Sequence, residues 1–277
     1  MDVSLHDIGY LLKVPTGALS LDGSIIYYIE EEDGSLTENH WTGIEISNNI
    51  YIPSEVTASP AAKYLLNEDT RRVFFRNKEN TLQCAEFDDL EDEWTTVILQ
   101  SVNPLTLHPN SLLSGCFDHD GHQVLFLQDP SGQLQGIRIK QNGECTTLPP
   151  LPYIQEPGLV HTAYAGDSGA IHFLYIARHE VHPANTSPPE QIVPGSGFGE
   201  HKVTRFTVTS TDEVEQGYLG LSAADKVIYI DPQGETRELG QLDNKRFSAK
   251  SSEECAAEIV RQGAKIIRAA AGTKDTK

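Results

Sequence analysis

The sequence predicts an all-β fold: a β-propeller of five blades, with six blades or a long-hairpin β-sandwich as the alternatives. Three observations predict it. Short runs rich in Val, Ile, Tyr and Phe are bounded throughout by Pro, Gly, Asn and Asp, the pattern of strands joined by tight turns. A hairpin cassette recurs, clearest where Val124–Leu127 and Leu134–Ile139 flank Asp129-Pro130-Ser131-Gly132. Pro pre-sets the first corner of such a turn and Gly supplies its φ > 0 position. Finally, the lead-in strands of successive cassettes lie about 45–55 residues apart, the period of a blade of short strands. One blade cannot cover both of its faces, so the copies must stack around an axis into a single domain.

The first copy opens with Ala18-Leu19-Ser20 and runs through Ser24–Ile29, the turn Glu32-Asp33-Gly34 and Ser35–His40. The second has Ala61–Leu66, Arg72–Phe75, the turn Lys78-Glu79-Asn80 and Thr81–Phe87, and Trp94–Leu99 closes it. In the third, Ser111–Phe117 precedes the clear hairpin and Glu144–Leu148 follows it. The fourth has Val160–Ala165 and Ala170–Ala177; an insertion, His179–His201, replaces its turn before Lys202–Val208 returns as a strand. That insertion is rich in Pro and Gly and has no apolar periodicity, which reads as a lid or pocket wall, with a simply disordered loop as the alternative. The fifth has Tyr218–Ser222, Lys226–Ile230, the turn Asp231-Pro232-Gln233-Gly234 and Glu235–Leu239. The propeller domain is therefore expected over 1–250. Beyond it, Ser251 and Glu254 make a capping box. Cys255, Ala256, Ile259, Val260, Gly263, Ile266, Ile267 and Ala270 then recur at helical spacing. An amphipathic helix over 251–272, packed on the propeller, and a frayed tail at 273–277 complete the chain.

The 277 residues suffice for a sizeable core, and 38% hydrophobic with 22% charged residues is ordinary for a globular chain. A formal charge of −19 argues against nucleic acid and against anionic membrane surfaces, and reads as a solubility charge. No apolar run approaches the roughly 18 residues that span a bilayer. The N-terminus lacks the basic and apolar regions of a signal peptide, so the expected location is cytoplasmic. Cys84, Cys116, Cys145 and Cys255 are widely spaced, without zinc or disulfide patterning, and read as reduced structural thiols. No metal and no cofactor is expected, and no nucleophile, phosphate-loop or dinucleotide motif occurs. Asp118-His119-Asp120-Gly121-His122 reads as a solvated turn, and Glu30-Glu31-Glu32-Asp33 as a hairpin tip whose carboxylates lack calcium-loop spacing. A homodimer through the C-terminal helix is a further possibility.

The cassette resembles the blade of the fungal fucose-specific lectins, a six-bladed propeller family reading approximately I-R-V-Y-x-Q-D-x-x-G-x-I-x-E with a Trp further on. The resemblance runs from about Ala18 to Leu242. It implies a sugar site between blades, held by Arg and Glu side chains with a Trp on the apolar sugar face. The second copy offers Arg72 and Trp94, but Cys84 stands at the Glu position, leaving Glu86 as a substitute. The fifth has Lys226 for the Arg, together with Glu238. The first keeps Glu38, with Ile25 or Ile26 at the Arg position and Trp41 at the nearer aromatic position. The third has Gly136 for Glu, and the fourth has neither residue.

Lectin-like propellers are also similar to the fungal hetero-Diels–Alderases of tropolone sesquiterpenoid biosynthesis, which join a quinone-methide tropolone to humulene. That resemblance implies a cofactor-free cyclase that positions diene and alkene, excludes water and polarises a carbonyl. It makes a small hydrophobic molecule the expected partner and Arg72, Lys226 and His40 the catalytic donors, with Trp94, Trp41, Glu38, Glu238 and Tyr164 lining the substrate pocket. The cyclase is the leading functional expectation. A carbohydrate-binding lectin with degenerate sites, built best around Arg72, Trp94 and Glu86, and a protein-interaction propeller are the alternatives.

Overall fold

The computed structural model describes residues 5–249, apart from 58–60, 101–103, 150, 152–155, 167–168, 178–179, 184–197, 199, 210–215 and 244–245. A short helix, α1 (Leu5–Lys13), precedes five antiparallel sheets. Sheet 1 is β1 (Thr16–Leu19), β2 (Ile26–Glu32), β3 (Ser35–Trp41) and β4 (Ile46–Ile52). Sheet 2 is β5 (Ala62–Leu66), β6 (Arg71–Arg76), β7 (Leu82–Asp88) and β8 (Glu93–Val97). Sheet 3 is β9 (Ser114–Phe117), β10 (Gln123–Gln128), β11 (Leu134–Ile139) and β12 (Cys145–Thr147). Sheet 4 has three strands, β13 (His161–Ala165), β14 (Ile171–Ala177) and β15 (Glu180–Pro183). Sheet 5 has five: β16 (Val203–Val208), β17 (Tyr218–Ser222), β18 (Lys226–Ile230), β19 (Thr236–Asp243) and β20 (Arg246–Ala249).

The turns explain why the hairpins recur. Asp129 Oδ1 accepts the backbone N–H of Ser131 and Gln133, at 2.9 and 3.0 Å, and Gly132 takes φ 85°. A side-chain oxygen at the first turn position thus does what a further backbone turn would otherwise do. Asn77 before β7, Asp118 before β10 and Asp231 before β19 repeat the device on the second and fourth residues after themselves. Between β2 and β3, Asp33 and Gly34 have φ 51° and 79°, the two-residue turn whose twist suits a hairpin.

Alternation along the strands then gives each sheet two apolar faces, and each face meets a neighbouring sheet. Ile29 and Leu36 of sheet 1 pack on Val73, Phe75 and Ala85 of sheet 2. Leu65, Phe74 and Cys84 of sheet 2 meet Leu125, Leu127 and Ile137 of sheet 3. Val124 and Phe126 meet Ala163 and Phe173 across the next seam. Tyr164 and Leu174 of sheet 4 meet Phe206, Ile228 and Ile230 of sheet 5. Leu219, Val227 and Leu239 of sheet 5 return to Leu19 and Ile26 of sheet 1, with Leu12 of α1 filling that seam. The first strands of successive sheets pack against one another, and together they line a small axial cavity. The fold is all-β and propeller-like, as expected.

Several details differ from the sequence expectation, among them β20 as a fifth strand of sheet 5. Lys202–Val208, expected as the last strand of the fourth copy, instead supplies β16, the innermost strand of sheet 5. The outer place in sheet 4 is taken by β15, from within the expected insertion, so the chain crosses to the next sheet one strand earlier. β4 was not expected; it is mostly solvent-exposed and buries Ile52, so it carries little apolar signal. Nor was α1, whose Leu12 joins the seam between sheets 5 and 1. The expected C-terminal helix and tail, and most of the expected lid, lie outside the described residues. No helix among the described residues is long and apolar enough to cross a membrane.

Candidate functional site

The densest polar and aromatic cluster lies in the seam between sheets 1 and 2. On β3, Leu36, Glu38 and His40 share one face by alternation, and the ladder sets Glu38 opposite Ile29, whose side chain packs toward sheet 2. The register therefore drives a carboxylate into the core, where its side chain has no accessible surface. Such a charge is tolerable only with a full set of partners. Tyr64, on β5, donates its hydroxyl to Glu38 Oε1 at 2.5 Å. Arg71, the first residue of β6, donates Nη2 to Glu38 Oε2 and Nε to the Tyr64 oxygen at 2.7 Å. Trp94 Nε1, from β8, donates to Glu38 Oε2 at 3.3 Å. His40 Nε2 lies 3.0 Å from Glu38 Oε2 and 3.1 Å from Arg71 Nη2. Since Arg71 only donates, that nitrogen serves the carboxylate as a donor or the guanidinium as an acceptor, according to tautomer.

Rings enclose the cation. Arg71 Cζ lies 3.8 Å from the ring centroid of Phe87, 4.3 Å from that of Tyr27 and 5.5 Å from that of Trp94. Each ring face offers negative quadrupole density to a desolvated guanidinium. Desolvation works against the Arg71 charge, but the oxygens of Tyr64 and Glu38 outweigh it and raise the pKa above its usual value. Burial, and then the Glu38 charge, push the Tyr64 phenol well up, and burial does the same more mildly for Tyr27. Tyr27, His40 and Arg71 keep partial exposure and form the mouth of the cluster; Glu38, Tyr64 and Trp94 form its floor.

The fold distributes the sequence-predicted residues among several seams. Glu38, His40 and Trp94 come together here, with Arg71 rather than Arg72. Arg72 points the other way, into the seam between sheets 2 and 3, where it is 2% exposed. It donates to Gln123 Oε1, Glu86 Oε2 and the Gln141 carbonyl, at 2.9, 3.0 and 2.6 Å. The expected grouping of Arg72, Glu86 and Trp94 is thus split, because successive residues of a strand face opposite ways. Lys226 Nζ pairs with Glu238 Oε2 at 3.0 Å, and both side chains retain access to solvent, at 33% and 19%. Glu238 lies opposite Ile228 in the ladder, on the face toward sheet 4. Tyr164 occupies that same seam, its oxygen accepting from Gln216 Nε2 at 2.6 Å and its ring stacked on His172. Trp41 packs on the opposite face of sheet 5, in the seam with sheet 1, and so does not join the Lys226–Glu238 pair.

Sequence reasoning missed Arg71, Tyr27, Tyr64 and Phe87. The signal was parity: Arg71, Val73 and Phe75 share one face of β6, and only that face looks toward Glu38. Asp118, expected in a solvated turn, is buried, with Arg138 Nε 2.8 Å from its Oδ2. Its turn sets Asp118, Asp120 and His122 with ligand-type atoms within 4.8 Å of one another, which by itself assigns nothing. Burial pushes the Cys116 thiol up to about 12 and the Cys84 thiol higher still, so neither supplies a thiolate near neutrality.

No family model and no curated protein matches the chain. Solved structures do resemble it. AofleA from Arthrobotrys oligospora aligns over 85% of this chain and 73% of its own, at 17% identity and TM-score 0.61. The fucose-specific lectin from Aleuria aurantia aligns over 79% of this chain and 74% of its own, at 16% identity and TM-score 0.55. The SapL1 lectin, solved with α-methyl fucoside, aligns over 80% and 78%, at 13% identity and TM-score 0.54. At these identities the likeness shows the fold, a lectin-like β-propeller.

Proposed function

We propose that this protein is a carbohydrate-binding propeller of five blades that receives a fucose-class deoxyhexose at the mouth of the seam between sheets 1 and 2. One observation carries the reading. A cation, a carboxylate and an aromatic ring, the set that holds a sugar by charged hydrogen bonds and ring contact, converge at Arg71, Glu38 and Tyr27, with the Trp94 indole buried beneath them. Glu38 is wholly buried, so its role is to orient Arg71 and His40, which with the Tyr27 ring present the accessible donors and apolar edge. Five interlocked seams, each with its own apolar cluster, support the blade number.

The cyclase expectation receives no comparable support. Arg72, Lys226 and His40, its three donors, face three different seams. Calorimetric titration with methyl α-L-fucoside tests the lectin reading. Saturable binding with a Kd on the order of millimolar is expected, weakened at least about tenfold by Arg71→Gln and unchanged by Lys226→Gln. Silence toward fucosides and other common hexoses overturns it.

A further inference from the structure

We propose that the axial cavity is a binding site for a small inorganic oxyanion of sulfate or phosphate size. It is lined by the first strands of all five sheets, and three basic side chains from three sheets reach its wall: Lys63 on β5, His161 on β13 and Arg205 on β16. Among the described residues no acidic side chain lines it, although the chain as a whole carries a formal charge of −19. The hydroxyl residues Thr16, Ser114, Thr162 and Thr207 complete the polar part of the wall.

The three basic groups are poised differently. Arg205 donates through Nη1 to the carbonyls of Val14 and Pro15, which leaves the rest of its fork of donors for another acceptor. Burial lowers its pKa to about 10, so it is cationic at neutral pH. Lys63 is 5% exposed, and burial lowers its pKa to about 8, so it too is largely charged near neutrality. His161 is 6% exposed; its Nδ1 meets Ser114 Oγ at 2.6 Å, while its Nε2 is buried without a hydrogen-bond partner among the described residues. A buried polar nitrogen with no partner costs stability, and a neutral imidazole carrying its proton there is a ready donor. The cavity, about 90 Å³, matches one tetrahedral oxyanion and its immediate hydrogen bonds rather than a sugar or a peptide. This site is separate from the seam between sheets 1 and 2, and its assignment does not depend on that one.

Sulfate is the probe, because its charge is constant across the relevant pH range. Titration of the full-length wild-type chain with sodium sulfate, against equal ionic strength of sodium chloride, should give one saturable site. It should also shift a single imidazole signal in a histidine ¹⁵N spectrum, the signal that His161→Asn removes. Raising the pH from about 6.5 to about 9.5 should weaken binding roughly tenfold as Lys63 loses its proton, and Lys63→Met should abolish that pH step. Arg205→Gln should weaken binding at least about tenfold at both pH values. Absence of saturable sulfate binding by the wild-type chain overturns the proposal. So does saturable binding that leaves the His161 signal unmoved, or that survives Arg205→Gln and Lys63→Met unchanged.

Discussion

Glu38 is the residue whose removal the seam between sheets 1 and 2 tolerates least. Glu38→Gln leaves Arg71 buried against rings without its counter-charge, which should cost about 3–5 kcal/mol by urea denaturation at neutral pH. Replacing the pair together, as Glu38→Leu with Arg71→Met, should recover only part of that loss, since the buried Tyr64 hydroxyl and the Trp94 indole N–H then lose their partners. Lys63 and His161 make stability depend on pH in calculable directions. Burial holds His161 at about 4 against a usual 6.5, so the unfolded chain binds more protons between those values. Stability present above pH about 6.5 should therefore fall by roughly 3 kcal/mol as the pH drops to about 4, and His161→Gln should flatten that fall. Lys63 follows the same rule on the alkaline side, at about 8 against a usual 10.5, so its contribution rises as pH increases through that window. Lys63→Met should remove the rise and be the more stable protein at neutral pH, a comparison for thermal denaturation in oxyanion-free buffer.

At the scale of elements, the hairpins depend on side-chain oxygens as much as on ladders. Asp129→Ala deprives the N–H groups of Ser131 and Gln133 of their acceptor and should cost about 1–2 kcal/mol, read as a lower melting temperature with unchanged circular dichroism. Phe198 is the described part of the insertion that matters most for packing. It is fully buried between sheets 4 and 5, and a Cβ on Gly220 would stand 2.5 Å from its ring. Gly220→Ala should displace that ring and lower the melting temperature. Phe198→Ala should cost about 3–5 kcal/mol by urea denaturation.

Across the whole molecule, the sequence carried the repeat because each hairpin has its own local chemistry, such as Asp129 with Gly132 or Asp33 with Gly34. It carried the strand faces less well. Arg71 and Arg72 are chemically alike, and only their parity relative to Glu38 separates a seam cluster from a buried bolt between sheets 2 and 3. β16 was assigned to the wrong sheet for a similar reason: nothing local in Lys202–Val208 says whether it pairs backward to β14 or forward to β17. The axial cavity was not legible at all, since Lys63, His161 and Arg205 lie far apart in sequence and meet only when the sheets close.

The seam between sheets 5 and 1 has a consequence for biosynthesis. Leu12 packs with Val227, Leu239 and Leu242, and Arg205 reaches the carbonyls of Val14 and Pro15, so α1 docks on the last-made part of the ring. At about 5–20 residues per second, a ribosome delivers that docking surface roughly 10–50 seconds after the helix emerges. For that interval Leu12 waits without its partners, and a chaperone that holds emerging apolar segments would act in that window.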